Sequence, residues 1–131
     1  MKTILKVLIL AFTLTFGLAA GAADKPPTAT KLLHVVSFKF KSAATPDQIK
    51  SIEDAFRALK KKIPQISSLK WGTNVSPEKR NMGFTHCFIL SFDNEQDRDA
   101  YLVHPEHKAF GGVLGPVMAD VSVIDFFAKK S

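Results

Sequence analysis

The sequence predicts an α+β fold with the element order β-α-β-β-α-β and a single antiparallel sheet. Three observations carry this. Four stretches alternate in the period of a strand, two others recur in the period of a helix, and each helical stretch opens on a capping signal. The strands are also too apolar for a sheet that is covered on one face only.

Residues 32–40 form the first strand. His34, Val36, Phe38 and Phe40 fall on one face, and Leu33, Val35, Ser37 and Lys39 on the other. Thr45, Pro46 and Gln48 then supply a capping hydroxyl, a proline at the first helical position and a capping-box glutamine. Ile49, Ile52, Phe56, Leu59 and Ile63 recur at helical spacing until Pro64 ends the helix. Residues 67–75 read as the second strand, with Leu69, Trp71, Thr73 and Val75 on one face. The polar, turn-rich residues 76–83 make a hairpin loop.

Residues 84–92 read as the third strand. Phe84, His86, Phe88, Leu90 and Phe92 share one face, while Thr85, Cys87, Ile89 and Ser91 make the other small or apolar as well. Such a strand needs a layer on each side, and two helices in one short chain cover only one of them. A second copy of the chain is therefore expected against the open face. Asp93 caps the next helix, with Gln96 at the capping-box position. Pro105 interrupts that helix and starts another segment, which continues through Phe110, Val113, Leu114 and Val117. Residues 121–127 form the last strand. The order is that of a ferredoxin-like unit, with the helices on one face of the sheet.

Residues 1–23 read as a signal peptide: Lys2 and Lys6 precede the apolar run 7–18, and small residues follow at Ala20, Gly21, Ala22 and Ala23. The run is short for a membrane span, and no cysteine follows it to take a lipid. A secreted or periplasmic domain, without membrane attachment after cleavage, is the expectation. Residues 24–31, with Pro26 and Pro27, form a flexible lead-in, and 32–128 the single domain. The chain has 18 basic and 12 acidic residues; without Lys2 and Lys6 the net charge falls from +6 to +4. That modest excess is scattered, the run Lys60 to Lys62 suiting a helix C-terminus, so nucleic-acid binding is not expected. Cys87 is the only cysteine and excludes an intrachain disulfide.

The chemistry concentrates around Pro105. Tyr101, His104 and His107 lie within seven residues, and a proline at position 105 places His107 in the first turn of a helix. Partial positive charge there disfavours imidazolium, and a neutral ring beside a tyrosine hydroxyl is a proton acceptor. His34 and His86 lie on the strand faces that meet the helices, so His34, His86, Tyr101 and His107 are expected to converge at one end of the core. Trp71, Phe88 and Phe110 would line the same apolar, ligand-binding pocket. His104 stands at the break and points elsewhere. A metal site is not expected: there is no HExxH pair, and Cys87 lies on the opposite strand face. Nor is there a phosphate-binding loop or a G-x-S-x-G elbow, so no cofactor is expected.

His34 with Lys39, Phe40 and Lys41, then Gly83 to His86, the block from Tyr101 through His104, Pro105 and His107 to Phe110, and finally Ile124 to Phe126 together resemble the stress-responsive A/B barrel (Dabb) domain family. The resemblance covers residues 32–127 and implies a ferredoxin-like unit that pairs as a homodimer, the two sheets forming an α/β barrel. It implies a small apolar or aromatic ligand in a His- and Tyr-lined pocket, either without turnover or with cofactor-free chemistry. One plant branch closes a linear polyketide, with roles that fall here on His107 as base and Tyr101 as its oxyanion partner. A related dimeric barrel supports cofactor-free monooxygenation. Phe126 stands where the family commonly has tyrosine, and the secretory leader is foreign to the plant branch.

Overall fold

A computed structural model describes residues 30–129; the signal-peptide reading and nearly all of the lead-in lie outside them. Strand β1 (Leu32–Phe40) is followed by helix α1 (Pro46–Lys62), strands β2 (Ser68–Thr73) and β3 (His86–Phe92), helices α2 (Glu95–Leu102) and α3 (Pro105–Leu114), and strand β4 (Met118–Phe127). The four strands form one antiparallel sheet in the order β2-β3-β1-β4. This is the ferredoxin-like arrangement, with the helices on one face. β1 and β3 occupy its centre, and their inward residues carry the core with Ile52, Phe56 and Leu59 of α1.

The cap of α1 forms as its sequence dictates. Thr45 Oγ1 accepts from the Gln48 amide at 3.2 Å, and Gln48 Oε1 accepts from the Thr45 amide at 2.9 Å. Thr45→Ala should remove one of these bonds and cost about 1 kcal/mol. For a domain of this size that is a fall of about 4–8 °C in a thermal melt.

Helix α2 is capped one residue later than expected. Asn94, not Asp93, accepts from the Asp97 amide at 2.8 Å. Asp93 is already engaged, by Lys31 and by Ser67 Oγ at 2.7 Å, and ties the start of β1 to the entry of β2. The hairpin between β2 and β3 is also longer than its alternation suggests. Asn74 turns back onto the Ser76 amide, and Lys79, Met82 and Gly83 take left-handed backbone angles. Only Gly83 is suited to that conformation by type, and a β-carbon there would meet the Lys39 side chain at 2.8 Å. β4 begins at Met118, three residues early, because β1 remains paired up to Phe40 past an irregularity at Lys39.

The face away from the helices carries an apolar row that no other described residue covers. Register places Leu33 beside Phe126 and sets Val35 between Ile89 and Ile124. Ile124 is 61% exposed and Phe126 45%. A row of large side chains in the middle of a sheet is the unmet second layer that the two-sided strands call for.

Candidate functional site: a histidine and tyrosine pocket beneath a broken helix

Pro105 breaks the helical run as its missing N–H requires. His104 takes an extended backbone and caps α3, its Nδ1 accepting from the Glu106 amide at 3.1 Å. The break lets α3 fold over the sheet. Between them lies a cavity of about 240 Å³, walled by apolar side chains that include Val36, Phe38, Phe110 and Val123, with His34, Tyr101 and His107 as its polar tips.

Tyr101 sits between the two histidines. Its ring centroid is 4.3 Å from that of His107 and 5.6 Å from that of His34. It is almost fully buried, and burial, helped by the charge of Asp125, pushes its phenol well above the usual range. Tyr101 therefore keeps its proton and is available as a hydrogen-bond donor.

His107 is fixed by the chain before the break. Its Nδ1 lies 3.1 Å from the Leu102 carbonyl oxygen. A carbonyl only accepts, so Nδ1 carries the proton and Nε2 of the neutral ring keeps its lone pair. Burial lowers the His107 pKa; the hydrogen bond to Leu102 acts against it, and the nearby His34 and His104 add to the lowering. Burial, rather than the helix end, is the main influence favouring the neutral imidazole.

His34 is anchored from the other side. Its Nδ1 is 2.6 Å from Asp125 Oδ1, and Asp125 Oδ2 accepts from Arg98 Nη1 at 2.6 Å. Asp125 falls in the Ile124 to Phe126 block of the family resemblance but carries no site role in the sequence reading, and Arg98 does not stand out in it at all. Asp125 could have been found, since strand alternation puts this one carboxylate on the inward face with Val121 and Val123. Arg98 could not, because its partner is 27 residues away.

The expected four-residue convergence reduces to three. His86 faces the helices, but it lies opposite Phe38 whereas His34 lies opposite Leu90. Four residues along a strand are about 13 Å, so the two rings occupy opposite ends of the core. Both His86 nitrogens are engaged, Nδ1 with Thr85 at 2.8 Å and Nε2 with Glu53 at 2.9 Å. Phe88 is fully buried, stacked on Phe56 at 4.0 Å and beneath Trp71 at 5.5 Å. Trp71 and His86 instead border a wider, more open groove of about 460 Å³. That groove is the larger cavity, yet the imidazole beside it has no free nitrogen. The smaller pocket is the one in which Phe110 and His34 do stand with Tyr101 and His107. Among the described residues, no group of three or more His, Cys, Asp or Glu is placed to hold a metal ion.

A ferredoxin-like sheet with a His/Tyr pocket under a proline-broken helix defines the class of protein. The chain belongs to the stress responsive A/B barrel domain (Dabb) family, whose model matches residues 32–128. It is 29% identical over 93 residues to the stress-response A/B barrel domain-containing protein HS1 of Arabidopsis thaliana, covering 71% of this chain and 85% of that one. It is 26% identical over 97 residues to olivetolic acid cyclase of Cannabis sativa, covering 74% and 96%. Among solved structures, the hydroxynitrile lyase of Passiflora edulis superposes with a TM-score of 0.73 at 25% identity, covering 79% of this chain and 97% of the lyase. A dimeric ferredoxin-like protein of unknown function from Thermobifida fusca shares the fold, with a TM-score of 0.66 at 24% identity, covering 76% and 92%.

Proposed function

We propose that the domain is a homodimer whose pocket takes a small, largely apolar molecule bearing a carbonyl or phenolic oxygen. The wall of the pocket is hydrocarbon, and its three polar tips are grouped around Tyr101, so one end of a ligand is read by hydrogen bonds and the rest by shape. A second reading, cofactor-free proton transfer, is favoured by one observation: the Leu102 carbonyl holds His107 in the tautomer that leaves Nε2 free as a base. In this reading His107 removes a proton from the ligand and Tyr101 donates a hydrogen bond to the oxygen on which charge develops. The likeness to a cyclase and to a lyase supports turnover at such a pocket.

The test reads binding and conversion separately, with a panel of aromatic and β-keto compounds and with the wild type beside His107→Ala. Saturable binding with conversion supports both readings. Binding without conversion leaves a carrier, and no binding at all removes the pocket.

The dimer rests on the uncovered apolar row of Leu33, Val35, Ile89, Ile124 and Phe126, and on the dimers described for proteins of this fold. Ile124→Lys would set two lysines into that contact. The dimer dissociation constant should rise about 100-fold, roughly 3 kcal/mol. Sedimentation equilibrium checks it, and a wild type that stays monomeric at micromolar concentration would refute the dimer. Export belongs to the same proposal, supported by Lys2, Lys6 and the apolar run after them. The mass of the protein recovered from its producing cells would show whether residues 1–23 have been removed.

A further inference from the structure

One part of the pocket is not used by the His107 and Tyr101 chemistry: the chain of contacts that runs from Arg98 through Asp125 to His34. Arg98 stands on α2, one turn before Tyr101. Its Nη1 donates to Asp125 Oδ2 at 2.6 Å, and its Nε donates to Asp99 Oδ1 at 2.7 Å. The guanidinium is thus gripped at two points, and its side chain is only 20% exposed. Asp125, on β4, presents its other oxygen to His34 Nδ1 at 2.6 Å. The His34 side chain is 5% exposed, set edge-on against Phe92 and Tyr101. No hydrogen bond from another described residue reaches its Nε2.

We propose that Arg98 is a positioning residue for this pocket. By holding one oxygen of Asp125 it aims the other at His34 and fixes that ring with its proton on Nδ1. His34 Nε2 is then a second proton acceptor, on the far side of Tyr101 from His107. The inference rests on the reading of this pocket as the functional site and deepens it. The ligand it fits offers the site two hydrogen-bond donors and one acceptor, as an enol or phenol with a further hydroxyl does.

The physical reasoning is that of any buried imidazole. A neutral ring has two tautomers, and the partner of one nitrogen decides which of them is present. A carboxylate free to rotate selects weakly. A carboxylate whose second oxygen is bound by a rigid guanidinium fork selects strongly, because its plane is set. The other charged or titratable groups about the pair are Asp99, Tyr101 and His107. Of these, only Asp99 touches the clamp, and it does so on the solvent side.

Long-range proton–nitrogen NMR of the histidine rings tests this on the full chain, with the ring nitrogens labelled. The wild type should show His34 as a single tautomer, with Nδ1 protonated and Nε2 bare. Arg98→Met should turn it into a mixture, and Arg98→Lys, which keeps a donor, should restore most of the Nδ1-protonated form. His107 should be unchanged in both variants, since a backbone carbonyl holds it. A His34 ring that keeps one tautomer in folded Arg98→Met would overturn the proposal. So would a wild-type ring protonated on Nε2, a result that needs no variant at all. The same spectrum reports His107 separately: loss of its Nδ1-protonated form would count against the base reading and leave the Arg98 result standing.

Discussion

Replacing His107 with alanine should slow proton transfer in the pocket by about 10²–10⁴-fold, the usual contribution of a positioned general base. The substitution removes the Nε2 lone pair and keeps the wall. Tyr101 remains buried, and His34 remains on Asp125. Ligand affinity should therefore fall much less than turnover, so the loss appears in kcat more than in KM. The pH profile carries the same signature. As a base His107 would act only when neutral, and its pKa lies below the ordinary value near 6.5. Turnover should hold above that value and fall as the pH drops through the lowered pKa. The sign for stability agrees: the unfolded ring takes up its proton first as the pH falls, so this residue makes the fold less stable on the acid side. Tyr101, held protonated by burial, should put no break in the neutral or mildly alkaline range.

Phe56→Ala should cost about 3–5 kcal/mol, a large part of the stability of a domain this small. Phe56 is 1% exposed and sits where α1 meets the sheet. Its ring stacks on Phe88 at 4.0 Å, meets Phe110 edge-on at 5.1 Å and lies 5.7 Å from Phe38. Three aromatic contacts are lost together with the buried area, and rigid strands on one side limit how far the cavity can close. Phe56 also walls the pocket, so the variant should bind larger ligands if it folds. Phe56→Leu, which keeps most of the volume, should cost markedly less. Denaturant midpoints of the three proteins check the order.

Much of this fold is legible in the chain because local rules and tertiary packing agree. The Thr45 cap, the face of Phe56 on α1 and the alternation of His34, Val36 and Phe38 each follow from spacing, and each is found. The double-sided strand β3 pointed to an uncovered sheet face, and the row through Ile89 and Ile124 is that face. What spacing could not supply is distance along a strand. His34 and His86 share a face of the sheet, which alternation reports. They belong to different ends of it, which only the register between β1 and β3 reveals. The same limit explains Trp71, which stacks beside His86, and Phe88, which fills the core between Phe56 and Trp71 rather than lining the pocket. The Asn94 cap was missed for a different reason: Asp93 is the better capping type by context, but Ser67 and Lys31 claim it from far along the chain.

The pocket itself was half legible. Tyr101, Pro105 and His107 announce themselves by type and spacing, and the break does place His107 over Tyr101. The Leu102 carbonyl that sets the tautomer is a backbone atom, present at every residue and marked at none. Arg98 on α2 and Asp125 on β4 lie 27 residues apart and meet only in the folded chain. The features that turn two histidines into oriented groups are therefore the ones a linear reading misses.

Proton transfer in this pocket requires that His107, in its Nδ1-protonated form, works as a base. Deuterium uptake at the acidic carbon of a β-keto ester, followed by NMR in deuterium oxide, tests it most directly, because it reads proton removal without requiring the natural substrate. Wild-type protein should speed uptake above the buffer rate in proportion to its concentration, and His107→Ala should return uptake to that rate. Uptake at the buffer rate with the ester bound to the wild type, or undiminished acceleration by the alanine variant, would contradict it.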